Sequence, residues 1–180
     1  MDFIDGLPSL EGYEVIFLVV DRLTKYNHFV GLKHPSAKTV ARTFNDNVVK
    51  LHGYPEIFIS GRDTIFSSDF WQELFTLQGF SLRLSTSYHP QTDGQTKVVN
   101  RCLETYLHCV TGDQPKNWHR WLSIVEWWYN SNYHTAIHTS LFEALYGYPP
   151  LIHLPCLPES ARVHEVDVQL QSREEMLKLL

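Results

Sequence analysis

Six consecutive apolar residues, Val15-Ile16-Phe17-Leu18-Val19-Val20, set the strongest limit on the fold. The run is far short of the roughly 18–20 residues that a bilayer requires. Its length and its β-branched and aromatic content suit a strand buried on both faces. The rest of the chain supplies what such a strand needs around it. Lys25 to Leu32 alternates more loosely and predicts a second strand, ending before Pro35. From Ser36, the residues Val40, Phe44, Val48 and Leu51 fall at helical steps, and Gly53 and Pro55 stop the helix. Glu56 to Ser60 is a further strand. Ser68 opens a helix with Phe70, Leu74 and Leu77 expected on its buried face, and Gly79 ends it. Phe80 to Leu84 is the last strand.

Two long helices are predicted over about 94–111 and 116–133, the second opened by Pro115, a residue favoured in a first helical turn. A short helix follows at Phe142 to Tyr146. Strands first, then helices alternating with strands, predict an α/β domain with a mixed sheet over residues 1–150. Residues 151–180 read as a proline-containing linker, with Pro155 and Pro158, and an amphipathic helical tail.

Composition narrows the function classes. A hydrophobic content of 43% and a charged content of 19% describe an ordinary globular chain. A net charge of -5 argues against a surface that grips nucleic acid everywhere, but leaves a local basic groove open. Cys102, Cys109 and Cys156 are too few and too scattered for a disulfide framework. A reducing compartment, nucleus or cytoplasm, is expected, with no signal peptide and no transmembrane segment. Cys102 and Cys109, seven residues apart, are expected to pack inside.

The stretch Tyr88-His-Pro-Gln-Thr-Asp-Gly-Gln-Thr-Lys-Val-Val-Asn-Arg101 is a polar, glycine-bearing loop feeding a helix. It resembles the integrase catalytic core of gypsy-type LTR retrotransposons, within the retroviral integrase superfamily. Met1-Asp2-Phe3-Ile4 resembles the first active-site strand, and Val19-Val20-Asp21-Arg22-Leu23-Thr24-Lys25 the hairpin after it. Leu51-His52-Gly53-Tyr54-Pro55, Phe66-Ser67-Ser68-Asp69-Phe70-Trp71, Trp128-Tyr129-Asn130 and Phe142 to Gly147 come in the same order. The resemblance implies a ribonuclease-H-like fold with a mixed five-stranded sheet flanked by helices. It also implies DNA integration, nucleic-acid binding and a homodimer.

That family holds two divalent ions, Mg²⁺ or Mn²⁺, with three carboxylates, the last two separated by 35 residues. Two hard cations a few ångströms apart need anionic oxygen around them. Here the first position is Asp2, and the second and third are Gly61 and Lys97. Positions 62–96 supply the 35 intervening residues, so the register is sound. The formal charge of the set falls from -3 to 0. No metal cofactor is expected, and a Lys97–Asp2 ion pair is expected in its place. Asp5, Asp63 and Asp93 are the nearby acids that could rescue the site.

By the same resemblance, His89, Gln91, Gln95, Lys97, Asn100 and Arg101 form a nucleic-acid-facing set. A solvated helix face is the competing reading for Lys97 and Arg101. Three departures from the family are expectations about context and local order. The chain starts one residue before Asp2, so its first strand should fray, and the flanking modules of the family are not in the sequence. Ser140-Leu141 stands where the family favours Thr-Pro, which should weaken a helix start. His134 and His138 have a zinc-like spacing but no evident third ligand. Of Trp127 and Trp128, one is expected at a subunit interface or under the proline-rich loop. The expected function is an integrase-core-like domain without DNA-joining activity. The alternative is a host-retained scaffold or interaction module, or an integrase-interfering protein.

Overall fold

The computed structural model describes residues 1–9, 11–61, 63–79, 81–84, 94–112, 114–151 and 162–179. The chain divides into two compact units. One comprises Met1–Asp21 and Asn27–Leu103, the other Arg22–Tyr26 and Glu104–Leu180.

In the first unit, β1 (Asp2–Ile4), β2 (Val15–Val20) and β3 (Asn27–Leu32) form an antiparallel sheet in that order. β4 (Ile57–Ser60) pairs in parallel with β5 (Ser81–Leu84). The five-stranded sheet expected from the sequence is therefore present as sheets of three and two strands. A backbone bond from Met1 N to the Ile59 carbonyl oxygen, at 2.7 Å, links their edges. The same bond and the pairing of β1 with β2 correct the expectation of a frayed first strand: Met1 is buried in the core.

β2 is buried on both faces, as its sequence requires. Phe17 and Val19 join a core with Phe58, Phe66, Trp71 and Phe75, while Ile16 and Leu18, on the opposite face, are fully buried too. Helix α1 (Ala37–Phe44) starts where Ser36 accepts a bond from Thr39 N, and it buries Val40, Ala41 and Phe44. A π-helical turn (Asn45–Val49) and a last turn, α2 (Lys50–His52), complete it. The wider π turn rotates the residues after it out of phase with the apolar stripe. Leu51, expected inside, is accordingly 57% exposed.

α3 (Asp69–Gln78) also presents a face other than the expected one. It buries Trp71 and Phe75, with Phe70 and Leu77 turned outward and only Leu74 partly covered. The two aromatics, one turn apart, fill the core with more surface than Phe70 and Leu77 would offer.

α4 (Gly94–Thr111) carries a buried stripe of Thr96, Val99, Leu103, Leu107 and Val110. Cys109 lies beside that stripe and is exposed, and Cys102 is half-buried, so neither is the interior packing residue expected.

In the second unit, Pro115 opens a 3₁₀ turn (Pro115–Asn117) rather than the α-helix itself, and α5 (Trp118–Ser131) succeeds it. A two-residue hairpin, β6 (Tyr133–His134) with β7 (Thr139–Ser140), is not legible in the sequence. α6 (Leu141–Tyr146) is capped by Ser140, whose Oγ accepts from Glu143 N at 3.0 Å. The serine thus supplies the helix start that the missing Thr-Pro was expected to weaken. Ser140→Ala should cost about 1 kcal/mol by losing that cap, measured as a lower urea midpoint with unchanged slope.

α7 (His164–Leu179) forms the predicted tail helix, and its Arg173 guanidinium lies 5.6 Å from the Trp127 ring centre. The linker prolines Pro155 and Pro158, and Cys156 between them, lie outside the described residues. Trp128 packs edge-on against Tyr106 at 4.5 Å. Both tryptophans are partly covered by side chains of their own unit. No helix among the described residues is long and apolar enough to cross a membrane.

Candidate active site and its missing acids

β1 sets Asp2 opposite Leu18 and leaves its carboxylate half-buried. Gly61 directly follows β4. A Cβ built on Gly61 would stand 3.6 Å from Asp2 Oδ1, an ordinary van der Waals distance. The first and second acid positions of the expected triad are therefore side by side, although their residues are 59 positions apart in sequence. At the second of them there is no side chain to contribute oxygen.

The third position behaves differently from expectation. Lys97 is exposed, and no ion pair joins it to Asp2 among the described residues. Asn100, one turn further along α4, reaches Asp2 instead: its Nδ2 donates to Asp2 Oδ2 at 3.0 Å. Helical phase explains the exchange. Thr96 and Val99 define the buried side of α4, so Asn100 turns inward with them while Lys97 turns to solvent. Asn100 Oδ1 is buried with no hydrogen-bond partner, as is Ser60 Oγ on the residue before Gly61. Asn100, expected among the nucleic-acid contacts, is thus a ligand of the retained carboxylate. Its spacing of four from Thr96 is the signal in the sequence for a place beside the buried stripe.

Asn100→Ala should destabilise the first unit by about 1–3 kcal/mol, because it strips a half-buried carboxylate of a donor. Chemical denaturation reads the loss, and a variant as stable as the parent would show that water replaces the amide without cost.

Among the described residues, neither Asp5 nor Asp63 repairs the set. Asp63 is exposed and its Oδ1 accepts from Ile65 N at 2.7 Å, closing a tight turn. Asp5 is exposed, and Asp93 lies outside the described residues. Among the described residues no three His, Cys, Asp or Glu side chains converge as a metal site. One carboxylate, a glycine and an amide do not fit the two-ion centre that the resemblance implies.

His89 and Gln91 also lie outside the described residues, and of Gln95 only the helical backbone is described. Lys97 and Arg101 are both exposed one turn apart on α4, which makes a short basic ridge. His134 and His138 do not share a helix. His138 sits in the turn after β6 with a left-handed backbone (φ 56°), and its Nδ1 is 3.4 Å from the Tyr133 hydroxyl.

No protein-family model matches the chain. Two curated relatives, the Tf2-3 and Tf2-4 transposon polyproteins of Schizosaccharomyces pombe, are each 37% identical over 153 residues, or 84% of this chain. The chain spans 12% of the length of either polyprotein. Among solved structures, a chain of the simian T-cell lymphotropic virus intasome bound to the PP2A regulatory subunit B56 gamma is similar at TM-score 0.66. It is 17% identical, covering 90% of this chain and 58% of that one. The HTLV-2 integrase catalytic core domain in complex with magnesium is similar at TM-score 0.63 and 14% identity, covering 79% of this chain and 93% of that one. The chain is thus a homologue of Tf2 retrotransposon polyproteins and has the ribonuclease-H-like α/β fold of retroviral integrase catalytic cores.

Proposed function

We propose that this chain is an integrase-core-like domain of a gypsy-type retrotransposon polyprotein that has lost its metal centre, and with it DNA joining. The observation that carries the reading is the 3.6 Å approach of the Gly61 Cβ position to Asp2 Oδ1. The second acid of a triad would stand there, and glycine cannot supply it. Asn100 takes the other Asp2 oxygen, and of positions 2, 61 and 97 only Asp2 brings a negative charge. That charge is too little to hold two divalent cations against their mutual repulsion. Magnesium, when bound in such a centre, activates a nucleophile and stabilises the phosphate under attack. The residues here do not form that centre.

What remains is a binding domain. The exposed Lys97 and Arg101 support contact with a DNA backbone beside the loop 88–95. The similarity to cores solved in dimeric and trimeric forms supports self-association. The Met1–Ile59 bond supports one five-stranded sheet. An intracellular location, nucleus or cytoplasm, accords with retrotransposon ancestry.

Calorimetric titration with Mg²⁺ tests the central point. No saturable site is expected, and a site of micromolar affinity would overturn the reading. DNA binding is tested by retention on a duplex column, where affinity should fall steeply between about 50 and 200 mM salt. Salt-independent flow-through would favour the protein-interaction alternative. Lys97→Glu should weaken retention if the basic ridge carries it.

A further inference from the structure

We propose that His28 and His52 form an acid-sensitive latch, which holds the end of α2 against β3 and opens when the pair takes up a second proton. His28 stands on β3 and is buried, whereas His52 is the last residue of α2 and is exposed. Their Nε2 atoms lie 3.0 Å apart, although 24 positions separate the residues. The ring centres are 5.1 Å apart, so the two imidazoles meet nearly nitrogen to nitrogen.

Such a contact counts protons. With both rings neutral, one Nε2 carries the hydrogen and the other presents its lone pair. A first added proton goes to Nδ1 of the donating ring and leaves the bond in place. A second must go to the accepting Nε2, because Nδ1 of that ring already holds its hydrogen. Two N–H groups then point at each other, and two positive charges repel. The bond is lost at that step, and the exposed His52 ring has solvent to turn into.

The groups around the pair set where this happens. Burial first, then His28, lowers the pKa of His52, and the Asp21 carboxylate just after β2 pulls it the other way. On its own helix His52 has Lys50, and the π turn before it carries Asp46, which lies 3.6 Å from Arg42 Nε. A lowered pKa in the folded chain means that unfolding takes up a proton in acid. The contribution of the pair to stability is therefore complete above about pH 6.5 and is lost as pH falls below it. Opening acts first on the helix end, where Gly53 N donates to the Val49 carbonyl oxygen at 2.8 Å. Gly53 to Glu56 then lead into β4, the strand that Gly61 follows.

The test is thermal melting of the whole chain between about pH 7.5 and about pH 5, with the histidine resonances followed alongside. His52→Gln is the informative variant, since the glutamine amide reaches the place of Nε2 and bonds His28 in either charge state. It should melt close to the parent at neutral pH, and the parent should lose at least about 3 °C more than it does in acid. His34→Gln, at an exposed position before α1, should keep the full acid loss of the parent. In the unmutated chain His28 and His52 should titrate as a coupled pair, in two steps more than about one pH unit apart. Hydrogen-exchange protection at Gly53 should fall in acid before that of β2. These last two readings need no variant, so they stand even if His52→Gln folds poorly. An equal acid loss in parent and His52→Gln, independent one-step titration of the two rings, or Gly53 protection that falls only together with β2 would overturn the proposal.

Discussion

Truncation of Trp71 to alanine is expected to cost the first unit about 3–5 kcal/mol, the range for removing a large aromatic from a packed core. Trp71 is 1% exposed and lies 5.1 Å from the Phe75 ring centre and 5.6 Å from Phe66. Phe66 in turn stacks on Phe3 of β1 at 5.0 Å. The indole therefore sits where helix, loop and sheet meet, and its loss leaves a cavity that these rings cannot close without leaving their own contacts. Domains of this size hold about 5–15 kcal/mol in total, so much of the folded population would be lost. Leu77→Ala on the same helix is the control. Leu77 is 76% exposed, and its truncation should change stability by no more than about 0.5 kcal/mol. Equal losses from the two variants, read from urea midpoints, would mean that α3 packs through the face its periodicity suggests rather than through Trp71 and Phe75.

Restoring acids at the two lost positions should have the largest effect on chemistry. Gly61→Asp with Lys97→Glu takes the formal charge of positions 2, 61 and 97 from 0 to -3. Gly61 is not among the glycines with a left-handed backbone, so aspartate is conformationally permitted there. Its Cβ meets Asp2 Oδ1 at 3.6 Å without a clash. Two carboxylates about 4 Å apart repel by roughly 4 kcal/mol at an effective dielectric of about 20. The double variant should therefore be less stable than the parent without magnesium and regain stability as magnesium is added. A saturable magnesium site should appear in the variant and not in the parent. Gly61→Asp alone should show the destabilisation with much weaker binding. If the double variant binds no magnesium, position 97 does not approach Asp2, and the metal-centre register fails.

The contact between His28 and His52, whose Nε2 atoms lie 3.0 Å apart, shows the contrast between local and distant information. His52 belongs to a stretch that the sequence marks as a helix end, and His28 to a predicted strand. Nothing in either segment signals the other. The π-helical turn before His52 likewise leaves no trace in the spacing of Val40, Phe44 and Val48, because apolar periodicity registers a phase slip only after it has occurred, at Leu51.

The sequence alone determined most of the element order, from the β2 run to the capped ends of α1 and α3, since side-chain periodicity, caps and breakers act over a few residues. Its resemblance to integrase cores also set Gly61 and Lys97, with 35 residues between them, as the positions where a second and a third acid are expected. Only the tertiary structure decided what Asp2 touches. Lys97 and Asn100 lie 95 and 98 positions from it along the chain, and helical phase against the buried stripe of α4 turned Asn100, the more distant, inward. Contacts of that kind depend on which faces win the core, and no local pattern records the outcome.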